Sequence, residues 1–154
     1  MKKIVTVLVL FIFVVPALMA QNTLKDVVRD YQRQNSEFTM VIPSFIFKMG
    51  LAYGDLEDEE REVLQQIDKM EIVVSDKGFR NNEFALLDEG IRNGQFKEIM
   101  TVYDHKDKVR MIVNQKNKRK SELLMLVEDG SENVMILMNL HGEPDFSKFI
   151  SLVD

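Results

Sequence analysis

An α+β fold is predicted, with an antiparallel sheet of five or six strands and helices packed across it. Three observations carry this. Helix-period apolar stripes dominate the first part of the chain. Period-two alternation dominates the last part, and the polar connections there are short. Short connections join antiparallel neighbours, so the four C-terminal strands read as a meander.

Leu24, Val27, Val28 and Tyr31 fall at i, i+3, i+4 and i+7 among Lys25, Asp26, Arg29 and Asp30, one apolar stripe on a charged helix. Residues 37–42 alternate as a strand, with Phe38, Met40 and Ile42 on one side. Pro43 suits the first turn of a following helix, where its missing N–H is not needed. Residues 44–52 are apolar apart from Ser44, Lys48 and Gly50, so this helix is expected to be buried on most sides, with Gly54 as its stop.

Asp55, Asp58 and Glu59 favour the start of another helix, whose inner face is Val63, Leu64 and Ile67. Ile72, Val73 and Val74 mark a short strand over 71–75. Asn81 or Asn82 caps a helix running to Arg92, with Phe84, Leu87 and Ile91 inward and Gly94 as its stop. Strands follow over 96–103, 109–114, 122–127 and 133–140, separated by charged turns at 104–108, 115–120 and 128–132. The last two strands are apolar on both faces, which places them centrally. Pro144 and Asp145 open a closing helix with the stripe Phe146, Phe149, Ile150 and Val153.

The first 20 residues carry an export signal. Lys2 and Lys3 precede an apolar run from Ile4 to Val15, Pro16 breaks it, and Ala17-Leu18-Met19-Ala20 leads into Gln21. The apolar run is shorter than the ~20 residues a spanning helix needs. Residues 1–20 are therefore read as a cleavable secretory signal peptide and 21–154 as a single α+β domain without a transmembrane segment. The chain contains no cysteine, which removes disulfides, thiolate metal sites and the lipoprotein route. The expected location is outside the cytoplasm, in the periplasm or at the cell surface. Loss of Lys2 and Lys3 takes the net charge from −5 to −7, a balance that argues against nonspecific binding to nucleic acid and to anionic lipid.

Residues able to carry chemistry do not assemble into a motif. His105 lies in a charged turn and His141 ends a strand, so they read as unrelated surface histidines rather than metal ligands. The acidic run Asp55, Glu57, Asp58, Glu59, Glu60 and Glu62 lacks the internal Gly of a calcium loop and reads as a solvated helix start. The basic run Lys116-Asn117-Lys118-Arg119-Lys120 reads as a charged hairpin tip that guards the sheet against edge pairing. Met135 and Met138 are an odd number apart in a strand and so face opposite ways, unlike a copper-binding pair. Met40, Met49, Met100, Met111 and Met125 sit at apolar-pattern positions and read as core filler. The phosphate-cradle, dinucleotide and Gly-x-Ser-x-Gly patterns are absent.

Two segments carry a family resemblance. Phe38-Thr39-Met40-Val41-Ile42-Pro43-Ser44-Phe45, followed by Lys48-Met49, is one. Val134-Met135-Ile136-Leu137-Met138-Asn139-Leu140-His141-Gly142, followed by the closing helix, is the other. Together with the export signal they resemble an exported Gram-negative bacterial family catalogued as domain of unknown function 4252. The resemblance implies export and one α+β domain, and supplies no catalytic residues. Lipoproteins occur among such relatives; this chain departs from them in having Gln21 where a lipoprotein has Cys.

No catalytic, cofactor-binding or metal-binding residue is assigned. The expected function is a non-catalytic protein-interaction or sensing-accessory module of the bacterial envelope, whose partner is another envelope protein. The alternative is a binder of a small apolar ligand or lipid, in which Phe45, Ile46, Phe47 and Met49 enclose a cavity against a Met-rich sheet. An enzyme would need a site assembled across the fold.

Overall fold

A computed structural model describes residues 22–35, 38–77, 79, 84–130, 132–142 and 144–151. The signal peptide, the capping residues Asn81 and Asn82, and Val153 lie outside the described residues. In chain order the elements are α1 (Leu24–Asn35), β1 (Phe38–Pro43), α2 (Ser44–Tyr53), α3 (Asp58–Gln65), β2 (Ile67–Ser75) and α4 (Ala85–Arg92). The meander then follows as β3 (Lys97–Asp104), β4 (Asp107–Asn117), β5 (Lys120–Asp129) and β6 (Glu132–His141), and α5 (Phe146–Ser151) closes the fold. The six strands form one antiparallel sheet in the order β1-β2-β6-β5-β4-β3.

β5 and β6 are central, as their two-sided apolar pattern requires. Successive residues face opposite ways, so each strand feeds two cores. Val73, Ile112, Leu124, Leu126, Met135 and Leu137 face α1 and α4, and pack on Leu24, Val27, Val28, Tyr31 and Leu87. Met111, Val113, Leu123, Met138 and Leu140 face the other way, toward Phe47 of α2, Val63 of α3 and Phe149 of α5. Met135 and Met138 are accordingly in different cores.

The strands run further than the hydropathy pattern. Turn residues expected at 104–108 reduce to His105 and Lys106, and those at 115–120 to Lys118 and Arg119. Backbone pairing continues past the buried part of a strand because solvated charged side chains do not oppose it. β2 begins at Ile67 rather than 71, so Ile67 belongs to the sheet and not to α3. A register shift between Ile67 and Lys69 interrupts the alternation that would have revealed this. Pro43 is the last residue of β1 and the N-cap of α2, one position before the first turn. Its missing N–H suits an edge strand as well as a helix start.

The largest departure concerns α2. Of its side chains only Phe47 is buried, while Phe45, Ile46, Met49 and Tyr53 are exposed. The reason is position: α2 follows the outermost strand, so there is sheet to cover only one of its sides. Met40 and Met49, read as core filler, are exposed for the same reason.

The end of α4 depends on a close approach. Gly90 is buried, and the chain reverses through Gly94 (φ 79°) so that Phe96 N–H donates to the Gly90 carbonyl at 2.9 Å. A Cβ on residue 90 would stand 2.1 Å from the Phe96 ring. Gly90→Ala is therefore expected to destabilise the fold by about 2 kcal/mol despite the better helix propensity of Ala. Urea unfolding checks it: a lowered midpoint is expected, and an unchanged one would mean the ring moves freely.

Candidate functional site

The sheet has two unlike faces. α1 and α4 cover the four inner strands of one face and leave Val41 and Tyr103 exposed at its two edges, whereas α2, α3 and α5 cover only one half of the other face. Strand register shows what the uncovered half presents. Phe38, Val74, Val134, Val127, Val109 and Val102 are successive cross-strand partners and form one row across all six strands. None of them is buried, and none belongs to either core. The next row, Met40, Ile72, Ile136, Met125, Met111 and Met100, borders the covered half: Met111 is buried in its core and Ile136, Met125 and Met100 pack against it. No charged side chain interrupts either row.

The β1 edge continues this apolar surface onto the neighbouring limb. Phe38 (55 % exposed) and Met40 (40 %) lie on that face of β1, Val41 (50 %) points to the opposite face beside the same edge, and Phe45 (57 %), Ile46 (44 %), Met49 (54 %) and Tyr53 (88 %) lie on α2. On α2 these four form a stripe distinct from the inward pair Phe47 and Leu51, so the helix is apolar on two sides. Helical spacing explains both: 47 and 51 are one i, i+4 set, and 45, 49 and 53 are another. The limb is anchored from inside by Phe47 and by Arg61 of α3, whose Nη1 donates to the Leu51 carbonyl at 2.9 Å.

The opposite edge is built differently. β3 carries Lys97, Glu98 and Asp104, and Arg110 of β4 grips Glu98 through Nε (3.0 Å) and Nη2 (2.6 Å). Burial works to raise the Glu98 carboxyl, but the Thr101 hydroxyl and Arg110 outweigh it and hold the carboxyl below its ordinary range. Charge of this kind discourages strand addition. Such protection is missing from β1.

A polar cleft of about 660 Å³ lies at the other end of the α1–α4 face, lined by Asn22, Thr23, Asn93, Gln95, Asn114 and Lys116 among others. Next to it Glu122 is almost wholly buried and fully used. It accepts from Leu24 N–H (3.2 Å), Asn114 Nδ2 (3.2 Å) and Lys116 Nζ (2.9 Å). The carboxylate thus satisfies an orphan N–H at the start of α1 and ties the helix to β4 and β5. Its geometry is that of a structural clamp rather than a poised acid or base.

The residues weighed for chemistry are scattered. His105 sits in the β3–β4 turn, 2.6 Å from Asp104, and His141 ends β6, 2.8 Å from Asp68. The acidic run starts α3, where Glu57 N–H donates to Glu60 Oε2 at 3.0 Å, and Glu62 pairs with Lys148 of α5. The basic run is the β4–β5 hairpin tip, with Asn117 Oδ1 accepting from Arg119 and Lys120 N–H. Because β4 and β5 are interior strands, the tip caps the sheet's end and does not guard an edge. Among the described residues no group of three or more His, Cys, Asp or Glu is placed to hold a metal ion. Nor is any helix among them long and apolar enough to cross a membrane.

These features define an α+β protein with a six-stranded antiparallel sheet, whose most unusual surface is an apolar limb at one sheet edge that carries no acidic side chain. The chain belongs to the family described as Domain of unknown function (DUF4252), which matches residues 31–151. No curated protein matches it.

Two outcomes follow for the clamp at the start of α1. Glu122→Ala leaves Leu24 N–H and the Asn114 amide without an acceptor and is expected to cost about 2 kcal/mol. Lys116→Ala is expected to cost less, because that ammonium is 41 % exposed; denaturant unfolding compares them. Asp26, in the first turn of α1, accepts from Thr23 N–H and Oγ1, both at 2.8 Å. The Thr23 backbone and hydroxyl bonds hold its carboxyl below the ordinary aspartate range, against desolvation and with help from Arg29 and Lys116. A depressed folded-state value stabilises fully above the ordinary range and is lost as pH falls through the depressed one. Asp26→Asn should therefore lower stability at neutral pH and flatten its fall in acid, measured by unfolding across pH.

Proposed function

We propose that this protein is a non-catalytic interaction module of the cell envelope that docks a partner polypeptide through the β1–α2 limb. The observation that carries this reading is the concentration of exposed apolar side chains on a single edge whose one charged side chain is Lys48. An exposed apolar stripe costs free energy in water and marks an interaction site when it is contiguous and large. The stripe lies beside an edge strand, the position that strand addition uses. The export signal read in residues 1–20 supports an envelope location. A sensing or assembly role fits the same surface, since docking is all it requires.

Binding of a small apolar ligand receives less support. Phe45, Ile46 and Met49 point away from the sheet and enclose nothing with it. The cleft beside α1 is lined by carboxamides, a hydroxyl and an ammonium, which suit polar groups.

Site-specific photo-crosslinking in intact cells tests the proposal. A photo-reactive side chain at Phe45 or Met49 is expected to capture a polypeptide, and one at Lys97 on the charged edge is not. Capture at Lys97 with none at Phe45 or Met49 would overturn the assignment of the surface.

A further inference from the structure

We infer that the partner that covers the β1–α2 limb is a second copy of this chain, paired β1 to β1 across a two-fold axis. The inference rests on the reading of that limb as an interaction surface and adds the identity of its occupant.

Charge is the first argument. The chain carries a net charge of −5, so two copies repel over most of their surface. They can approach only through a face free of that charge. Between Phe38 and Tyr53 the only charged side chain is Lys48, and the segment from Phe38 to Phe47 has none. A partner of opposite charge would be recognised through acidic groups, which this limb lacks. A copy of the same limb brings no acidic group, and its one charged side chain is the solvent-exposed Lys48.

Geometry is the second. β1 has β2 on one side and no strand on the other among the described residues. An antiparallel mate continues the sheet, and β1 placed against itself across a two-fold axis is antiparallel by symmetry. An axis normal to the sheet keeps both α2 helices on the same face, flanking the seam. Pro43 lacks an N–H, so the added strand pairs alongside Phe38–Ile42 and stops there.

Area is the third. Phe38, Phe45 and Tyr53 are 55 %, 57 % and 88 % exposed. With about 150–250 Å² per aromatic side chain, these three offer on the order of 400 Å². Met40, Val41, Ile46 and Met49 add on the order of 300 Å². The sum approaches the ~800 Å² per partner of a standard stable interface. Among the described residues, seven of the nine large exposed hydrophobic side chains are used, and the two left over, Val102 and Tyr103, lie on the charged edge.

Sedimentation equilibrium on the mature protein tests this. A reversible monomer–dimer equilibrium is expected. Val41→Lys on β1 and Met49→Glu on α2 should each weaken it about 100-fold with unchanged circular dichroism. Tyr103→Lys on the opposite edge should leave it unaltered. Both limb positions are solvent-exposed, so at least one variant is expected to fold normally. A folded wild-type protein that stays monomeric up to its solubility limit overturns the second copy as occupant. So does a dimer insensitive to both limb substitutions. If a monomeric protein still crosslinks through Phe45 to a different polypeptide, the limb remains an interaction surface and only its occupant changes. A monomer with no crosslink at Phe45 or Met49 removes both.

Discussion

The pairing of β2 with β6 is the constraint on which the rest of the structure depends. Its antiparallel register runs from Ile67 opposite Leu140 to Ser75 opposite Asn133, and joins the N-terminal part of the chain to the C-terminal meander. Without it β6 would be an edge strand with apolar residues on both faces. With it β6 becomes interior, β1 becomes the edge, and α2 is carried to the rim of the sheet. The exposed limb is thus a consequence of strand order and not of a local sequence preference.

The same pairing sets the inequality of the two faces. α1 lies along one face, held at its start by Glu122 and at its far end by Tyr31, which stacks with Phe84 and meets Phe79 edge-on. The buried core on that side spans the four inner strands. On the other side the helices α2, α3 and α5 are short, and they leave one half of the sheet to its own cross-strand contacts. A β-branched row is suited to this, because adjacent valines shield one another on a pleated surface even without a covering layer.

Most of the architecture was legible from residue spacing. The α1 stripe, the meander, the central place of β5 and β6, and the opposed directions of Met135 and Met138 all follow from periods of 3.6 and 2. The extent of β2 was hidden by the irregularity around Asp68, and the strand ends by charged residues that pair through backbone alone. The candidate surface was visible as composition and misread as burial. An apolar run over 44–52 signals a helix with little polar surface, but only strand order says whether anything lies on each side. The resolving signal was present in the sequence: Phe45, Met49 and Tyr53 form a stripe separate from Phe47 and Leu51. The Glu122 clamp had no local signature, since its helix partner is 98 residues away.

The separation between β2 and β6 along the chain also shapes how the molecule reaches this state. The hairpins β3–β4, β4–β5 and β5–β6 close over short loops and form early, whereas β2 must return across a far longer span. Until it does, the apolar stretch from Val134 to Met138 has one side open, with no charge or proline to discourage a foreign strand. The same residues that make the finished sheet robust are its point of greatest hazard on the way there. Productive folding is a race between the arrival of β2 and the association of unfinished chains, and the dilution of newly made protein favours the former.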